Sequence, residues 1–321
     1  MKKSWKIIVT LGVASLLLAA CSQSGDKTSS KEVPQIGILQ YVEHESLTAA
    51  RKGFEKGLAE EGYKDGEDIK IAYENSQGDQ ANLQSISEKL VSDNDLVLGI
   101  ATPAAQSLVT ASSDTPILFT AVTDPVSAKL VKTMKTPDGV ATGTSDMSPV
   151  DEQVKLIQKV LPNAKKVGIM YTTSERNSEV QVEEAEKLFK KADIKVVNKG
   201  ISSTNDVQDT AKSLMKDVDL IFVPTDNIIA SAIPILRDLS KESKVPVVGG
   251  SADMVGEGLL FSYGPDYEKL GEQTAKLAVK VLEGENVSKL SAQYPEALNV
   301  AVNDDMAKAL DIDVSGIEKD K

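Results

Sequence analysis

From Pro34 onward, short apolar runs alternate with longer stretches in which apolar residues return every three or four positions. The runs Ile36–Leu39, Ile69–Tyr73, Leu96–Ile100 and Pro116–Ala121 have the length and composition of buried strands. Between them, Leu47, Ala50, Phe54 and Leu58 share one helical face that Gly62 terminates, and Leu83, Ile86 and Leu90 mark a second helix. Thr102-Pro103 and Asp124-Pro125 each set a capping side chain before a first-turn proline, so both read as helix starts. Four β-α units are therefore expected between Pro34 and Lys132. The scheme repeats after a seam rich in Gly, Ser, Asp and Pro at Gly143–Pro149. Strands are expected at Val167–Tyr171, Ile194–Val197, Leu220–Val223 and Val245–Val248. They alternate with helices at Glu152–Val160, Glu175–Lys191, Asp206–Met215 and Asn227–Ser240. A last helix carries Leu270, Thr274, Leu277 and Val281 on one stripe, and a last strand lies near Leu298–Val302. Sustained β-α alternation means parallel sheets covered by helices, so the fold class is α/β with two lobes of similar architecture. The tail is expected to cross back between them.

Ahead of these elements the pattern differs. Lys2, Lys3 and Lys6 precede an apolar run from Ile7 to Leu18, too short to span a membrane that needs ~20 residues. Basic start, short apolar core and small residues before a cut make residues 1–20 a signal peptide. Leu18-Ala19-Ala20-Cys21 resembles the lipobox of bacterial lipoproteins, in which the cysteine is acylated and becomes the first mature residue. Cys21 is the sole cysteine of the chain, so it has no disulfide partner, and a lipid-bearing cysteine needs none. The polar, Ser-rich segment to Val33 makes residues 21–33 a flexible tether of ~20 Å between lipid and domain. An extracytoplasmic, membrane-anchored protein is expected.

Composition narrows the chemistry. The net charge of −12 argues against direct binding of nucleic acid, which requires a basic face. With one His and one Cys, zinc sites and Cys- or His-based catalysis lose most of their ligands and bases. No phosphate loop, dinucleotide fingerprint, nucleophile elbow or H-E-x-x-H pair occurs. No enzyme activity, cofactor or metal is expected.

In open parallel sheets, ligands bind beyond the C-terminal strand ends, where helices begin. In the first half these ends supply Gln40, His44, Thr102, Thr123 and Asp124. The second half supplies Ser174, Glu175, Asn177, Ser178, Thr225, Asp226, Asn227, Gly249, Gly250 and Ser251. Helix N-termini offer free N–H groups to a carboxylate, and Glu175 and Asp226 suit an ammonium, so the cleft suits a zwitterion. Thr102, Asp124 and Asp226 are also natural helix caps, each worth ~1 kcal/mol without any ligand. His44 is expected to pack or hydrogen-bond at a helix start rather than act as a base.

Several patterns together resemble one family. They are Leu47-x-x-Ala50-x-x-Gly53-Phe54 after His44, Phe119-x-x-Val122-Thr123-Asp124-Pro125, Gly143-Thr144-Ser145-Asp146 and Tyr171-x-x-Ser174-Glu175-x-Asn177-Ser178. Pro224-Thr225-Asp226-Asn227 and Asp266-Tyr267-x-x-Leu270-Gly271 complete the set. Over Val33–Ile312 the chain resembles the substrate-binding lipoproteins of ABC importers, in the group that takes tryptophan or tyrosine. The resemblance implies two Rossmann-like lobes joined by three hinge crossings, the type I periplasmic-binding-protein architecture. The lobes would be residues 34–144 with 264–290, and 145–263 with 291–318. It also implies a monomer that delivers a free aromatic amino acid (tryptophan, tyrosine or phenylalanine) to a permease and, through it, an ATPase. Thr102, Thr123 and nearby amides would take the ligand carboxylate and Asp226 the ammonium. Ser145 would be among the ligand-binding residues, and the ligand ring would lie against Tyr41, His44, Phe119 or Tyr263. A receptor for a branched-chain amino acid, nucleoside or sugar is the alternative on the same scaffold.

Overall fold

The computed structural model describes residues 33–317. The expected signal peptide, Cys21 and all of the expected tether but Val33 lie outside the described residues. Five strands, β1 (Gln35–Gln40), β2 (Lys70–Asn75), β3 (Leu96–Ile100), β4 (Ile117–Val122) and β5 (Ala141–Ser145), make an all-parallel sheet in the order β2-β1-β3-β4-β5. Helices α1 (Glu45–Glu60), α2 (Gln80–Asp93) and α3 (Thr102–Ala111) connect its strands. Strands β3, β4 and β5 are buried along their whole length, which is why β3 and β4 read as near-continuous apolar runs rather than alternating ones.

The second sheet has the order β11-β10-β9-β8-β6-β7, parallel except for β11 against β10. Its strands are β6 (Lys166–Thr172), β7 (Lys195–Ile201), β8 (Leu220–Val223), β9 (Val247–Gly249), β10 (Phe261–Pro265) and β11 (Leu298–Val302). The intervening helices are α4 (Val150–Val160), α5 (Arg176–Lys191), α6 (Val207–Met215), α7 (Asn227–Ala230), α8 (Ile233–Ser243) and α9 (Ala252–Glu257). Two further helices, α10 (Tyr267–Leu282) and α11 (Asp304–Leu310), follow β10 and β11.

The chain passes between the lobes three times: after β5, between β10 and α10, and between the 3-10 turn Val287–Lys289 and β11. The first and third passages run side by side, with Ser145 N donating to Gln293 O at 2.8 Å and Gln293 N to Gly143 O at 2.9 Å. The Tyr267 hydroxyl at the second passage donates to Asp146 Oδ2 of the first at 2.6 Å. Although α10 follows a second-lobe strand, it docks on α1 of the first lobe, through glycines on both helices. A Cβ on Gly53 would lie 2.0 Å from the Glu268 carbonyl oxygen, and one on Gly271 would lie 2.0 Å from that of Ala50.

Several expected elements differ. Asp124-Pro125 opens a series of turns rather than a helix, so the fourth β-α unit lacks its helix. The Asp124 carboxylate accepts from Val126 N at 3.1 Å and Ser127 N at 2.9 Å, capping a turn instead. The Gly-Ser-rich seam begins inside β5, whose small residues suit the crowded sheet: a Cβ on Gly143 would fall 1.9 Å from Phe119 O. The expected helix Asn227–Ser240 breaks into α7 and α8, with Pro234 in the first turn of α8, where its missing N–H costs nothing. Thr102 is not a cap: the N-cap of α3 is Ala101.

Candidate functional site

The C-terminal edges of the two sheets face each other, and side-chain hydrogen bonds join the lobes. Among them are Thr123 Oγ1 to Thr225 Oγ1 at 3.1 Å, Ser46 Oγ to Ser251 Oγ at 3.2 Å, His44 Nε2 to Asn227 Oδ1 at 3.4 Å and Arg176 Nε to Ser127 Oγ at 2.8 Å. The lobes therefore stand closed over the residues between them.

On the first-lobe wall, β3 is followed by Ala101, held at φ 81° and ψ 155°. That is a region populated almost only by glycine, at a cost of ~1–3 kcal/mol. The strained residue turns the chain so that α3 begins at the cleft, where the Thr102 and Ala104 amides lack intrahelical partners. Thr102 is 1% exposed, and its Oγ1 has no hydrogen-bond partner. A bulge in β4, with Ala121 at φ 56°, presents Thr123 beside it. Thr123 Oγ1 donates to Asp146 Oδ1 at 2.9 Å, so this cleft residue is tied directly to the hinge. Ser145 is a hinge residue: its Oγ donates to Thr123 O at 2.8 Å and accepts from Met147 N at 3.0 Å. Gln40 is buried and its Nε2 is committed to Val42 O and the Glu43 carboxylate.

The second-lobe wall is built around two buried carboxylates. Asp226 accepts from Thr172 N (2.6 Å), Thr172 Oγ1 (2.8 Å), Ser178 Oγ (2.7 Å) and Ile229 N (2.9 Å). Glu175 Oε2 accepts from Asn177 Nδ2, Asn227 N and Asn227 Nδ2, and its Oε1 from Ile228 N at 3.2 Å. The free amides at the start of α7 are thus occupied by the protein's own acids, not left for a ligand anion. Neither carboxylate forms an ion pair among the described residues, and Arg176 turns instead to Glu179, Glu183 and Ser127. Burial, then the charge of Asp226, pushes Glu175 up to about 8, and burial raises Asp226 as well. Tyr41 is buried and faces both; burial first and then these two charges hold its phenol firmly protonated.

Asn227 links the walls. Its Nδ2 donates to Glu175 Oε2 at 2.5 Å, so its Oδ1 faces His44 and the proton of that contact sits on His44 Nε2. Burial lowers His44 to about 4, leaving a neutral ring. Asn177 Nδ2 also reaches Thr225 O at 2.8 Å, while its Oδ1 is buried and unpartnered. Gly250 is a close-packing position: a Cβ there would meet Thr225 N at 2.7 Å.

The structure thus brings Tyr41, His44, Thr123, Glu175, Asn177, Ser178, Thr225, Asp226 and Asn227 to one place, and sets Thr102 after β3, the strand beside the one that leads to Thr123. Asp124, Ser145 and Gly250 serve a turn, the hinge and packing. Sequence reasoning missed Thr172, the double donor to Asp226, and Gln181, whose Oε1 accepts from Thr225 N at 2.7 Å. Gln181 lies one turn beyond Asn177 on α5, and that spacing of polar residues on a buried face was the available signal.

A family model described as ABC transporter substrate binding protein matches residues 35–317. The chain is 43% identical over 320 residues to the tyrosine-binding protein of Clostridioides difficile (strain R20291), covering 97% of this chain and 93% of that protein. It is similar to a solved ABC domain from Streptococcus pneumoniae in complex with L-Trp, at 41% identity and a TM-score of 0.85, covering 88% of this chain and 96% of that one. The ligand-free, open structure of a substrate-binding protein with adhesive properties from Clostridium difficile gives 44% identity but a TM-score of 0.69, covering 89% and 98%. At nearly equal identity the lower score for the open form agrees with lobes that stand closed here. The architecture is that of the type I periplasmic binding proteins. With the family model spanning both lobes and a relative alike along nearly its whole length, the chain belongs to the ABC transporter substrate-binding proteins, which are extracytoplasmic receptors rather than enzymes.

Proposed function

We propose that this receptor captures a free aromatic amino acid, tryptophan or tyrosine first, between its lobes and presents it to a permease by hinge closure. One observation carries the reading. A buried pair of carboxylates without a protein cation faces, across a closed cleft, a helix start with an unpartnered buried hydroxyl. That arrangement lacks a positive charge on one side and an anion on the other, and a zwitterion supplies both. Thr102 Oγ1 and the first amides of α3 take the carboxylate. Each acid accepts from four donors, two on each oxygen of Asp226 but three on Oε2 and one on Oε1 of Glu175, so the ammonium contact falls to Glu175 Oε1 and Asn177 Oδ1, with Asp226 holding the wall in shape. The ring lies against Tyr41 and His44. The names of the relatives in Clostridioides difficile and Streptococcus pneumoniae support an aromatic ligand over a branched-chain amino acid, nucleoside or sugar. Acylation of Cys21 would hold the receptor at the outer face of the membrane, beside the permease and its ATPase.

The chain from Ser22 onward contains no tryptophan, because Trp5 is the sole one. Titration of that chain with L-tryptophan, excited in the indole band, reads the ligand against a dark protein. Saturable emission change is the expected result, with L-tyrosine displacing it; a silent titration alongside a different co-purified molecule would sink the ligand assignment.

A further inference from the structure

Between α2 and α3, on the outside of the first lobe, runs a groove of about 700 Å³, and Ser174 of the second lobe lines it as well. Both of its walls lie one residue from the ligand site: Pro103 follows Thr102, and Ser174 precedes Glu175. The groove is therefore a surface of two lobes, complete only while they stand closed. The neighbouring turn is tied in the same way. Gln106 Nε2 on α3 donates to Ala128 O at 3.1 Å, and in that turn Ser127 Oγ accepts from Arg176 Nε of the second lobe at 2.8 Å. Beside Ser127 stands Val126, a large apolar side chain left 43% exposed.

The composition of the groove sets it apart. Eleven residues line it and Glu88 alone among them is charged, in a chain that is 26% charged and carries a net charge of −12. Gln80, Gln84, Gln106, Ser107 and Thr110 present amides and hydroxyls, which both donate and accept hydrogen bonds. Loss of charge at the centre of a patch is the compositional mark of a protein interface. The lip where Ser46 meets Ser251 is the contrast, since Glu45, Asp253 and Glu257 gather there and stripping water from such acids is costly.

We propose that this groove, together with the turn around Val126, is the surface on which the permease docks, and that its occupant is an uncharged segment of the permease's outer face bearing amide and hydroxyl groups. The inference rests on the importer reading above and adds a location to it. A partner can favour one form of a receptor only through contacts that differ between the forms. A groove walled by both lobes supplies such a difference, whereas a patch confined to one lobe does not.

Gln84→Arg and Thr110→Arg each place a charge on one wall of the groove, at an exposed residue outside the ligand site. Gln208→Arg, exposed on α6 of the second lobe, adds the same charge elsewhere. In cells that lack the receptor and are complemented with the full chain, receptor-dependent uptake of radiolabelled L-tryptophan or L-tyrosine should fall at least ~10-fold with either groove variant. Gln208→Arg should keep wild-type uptake. On the purified chain from Ser22, both groove variants should bind the same amino acid within ~2-fold of wild type, which also shows them folded. Uptake left at the wild-type level by either groove variant, or lost equally with Gln208→Arg, overturns the proposal. Affinity that falls in parallel with uptake overturns it too, because the groove then serves the ligand site. Light scattering that finds a wild-type dimer and a Gln84→Arg monomer gives the groove to a second copy of the chain and sinks the permease as its occupant. Wild type that supports uptake of neither amino acid overturns the importer reading, and this surface with it.

Discussion

At the scale of single residues, the cleft is assembled from groups that are costly to the fold. Ala101 occupies a glycine-like conformation, Thr102 buries a hydroxyl without a partner, and Glu175 and Asp226 bury charge without a cation. Four hydrogen-bond donors to each carboxylate offset part of the cost of burying it, and a bound zwitterion would supply the missing positive charge and a partner for the Thr102 hydroxyl. Thr102 provides the cleanest separation of stability from function. Thr102→Val keeps the shape and removes the orphan hydroxyl, so the empty protein should gain up to ~1–2 kcal/mol. L-tryptophan affinity should fall about tenfold, ~1.4 kcal/mol, for the lost contact to the carboxylate. Thermal melting and calorimetry on the same samples check this, and parallel losses in both would assign the hydroxyl a structural role instead. Most of these residues were legible before the structure because a strand end followed by a capping residue is a local pattern. Their partners were not. That Asp226 is filled by Thr172 and Ser178, and Glu175 by Asn227, depends on residues about 50 positions apart meeting in space.

At the scale of elements, the fold follows from apolar periodicity where an element is long and its burial one-sided. The helices α1, α5 and α10 were readable for that reason. Elements built from small or few residues escaped: β5 reads ATGTS, and β10 reads FSYGP, neither with an apolar run. Their strand identity comes from neighbours that pair with them, which no local window contains. Asp124-Pro125 shows the converse failure, a complete helix-start signal that opens turns because the chain must reach β5. The contact of α1 with α10 is the element-level feature that decides lobe membership. With a Cβ at Gly271 2.0 Å from the Ala50 carbonyl oxygen, the helices cannot separate enough for a side chain without moving backbone. Gly271→Val should therefore destabilise the protein by ~3 kcal/mol or more. Urea unfolding reads this directly, and a midpoint unchanged from wild type would mean the helices are free to shift.

At the scale of the whole molecule, three passages of chain join the lobes, and they are laced to one another and to the cleft. Asp146 accepts from Tyr267 of the second passage and from Thr123, which in turn touches Thr225 across the cleft. Closing the lobes and setting the hinge are thus one hydrogen-bonded event. The proposed lipid anchor at Cys21 belongs to the same scale, since a receptor tethered beside its permease would gain effective concentration without tighter binding. Cys21→Ser should shift the protein from the membrane fraction to the soluble fraction while leaving L-tryptophan affinity unchanged; retention in the membrane fraction would refute lipid attachment at this residue.

Sequence alone determined the α/β alternation, the two-lobed plan, the family and most of the strand ends that line the cleft, because each is written in local periodicity or short motifs. Tertiary structure alone decided how the donors are shared out over the two acids, where the backbone is strained, and that α10 packs on α1 through glycines of both helices. Those properties are set by distances between residues far apart in the chain, and by water excluded when two surfaces meet.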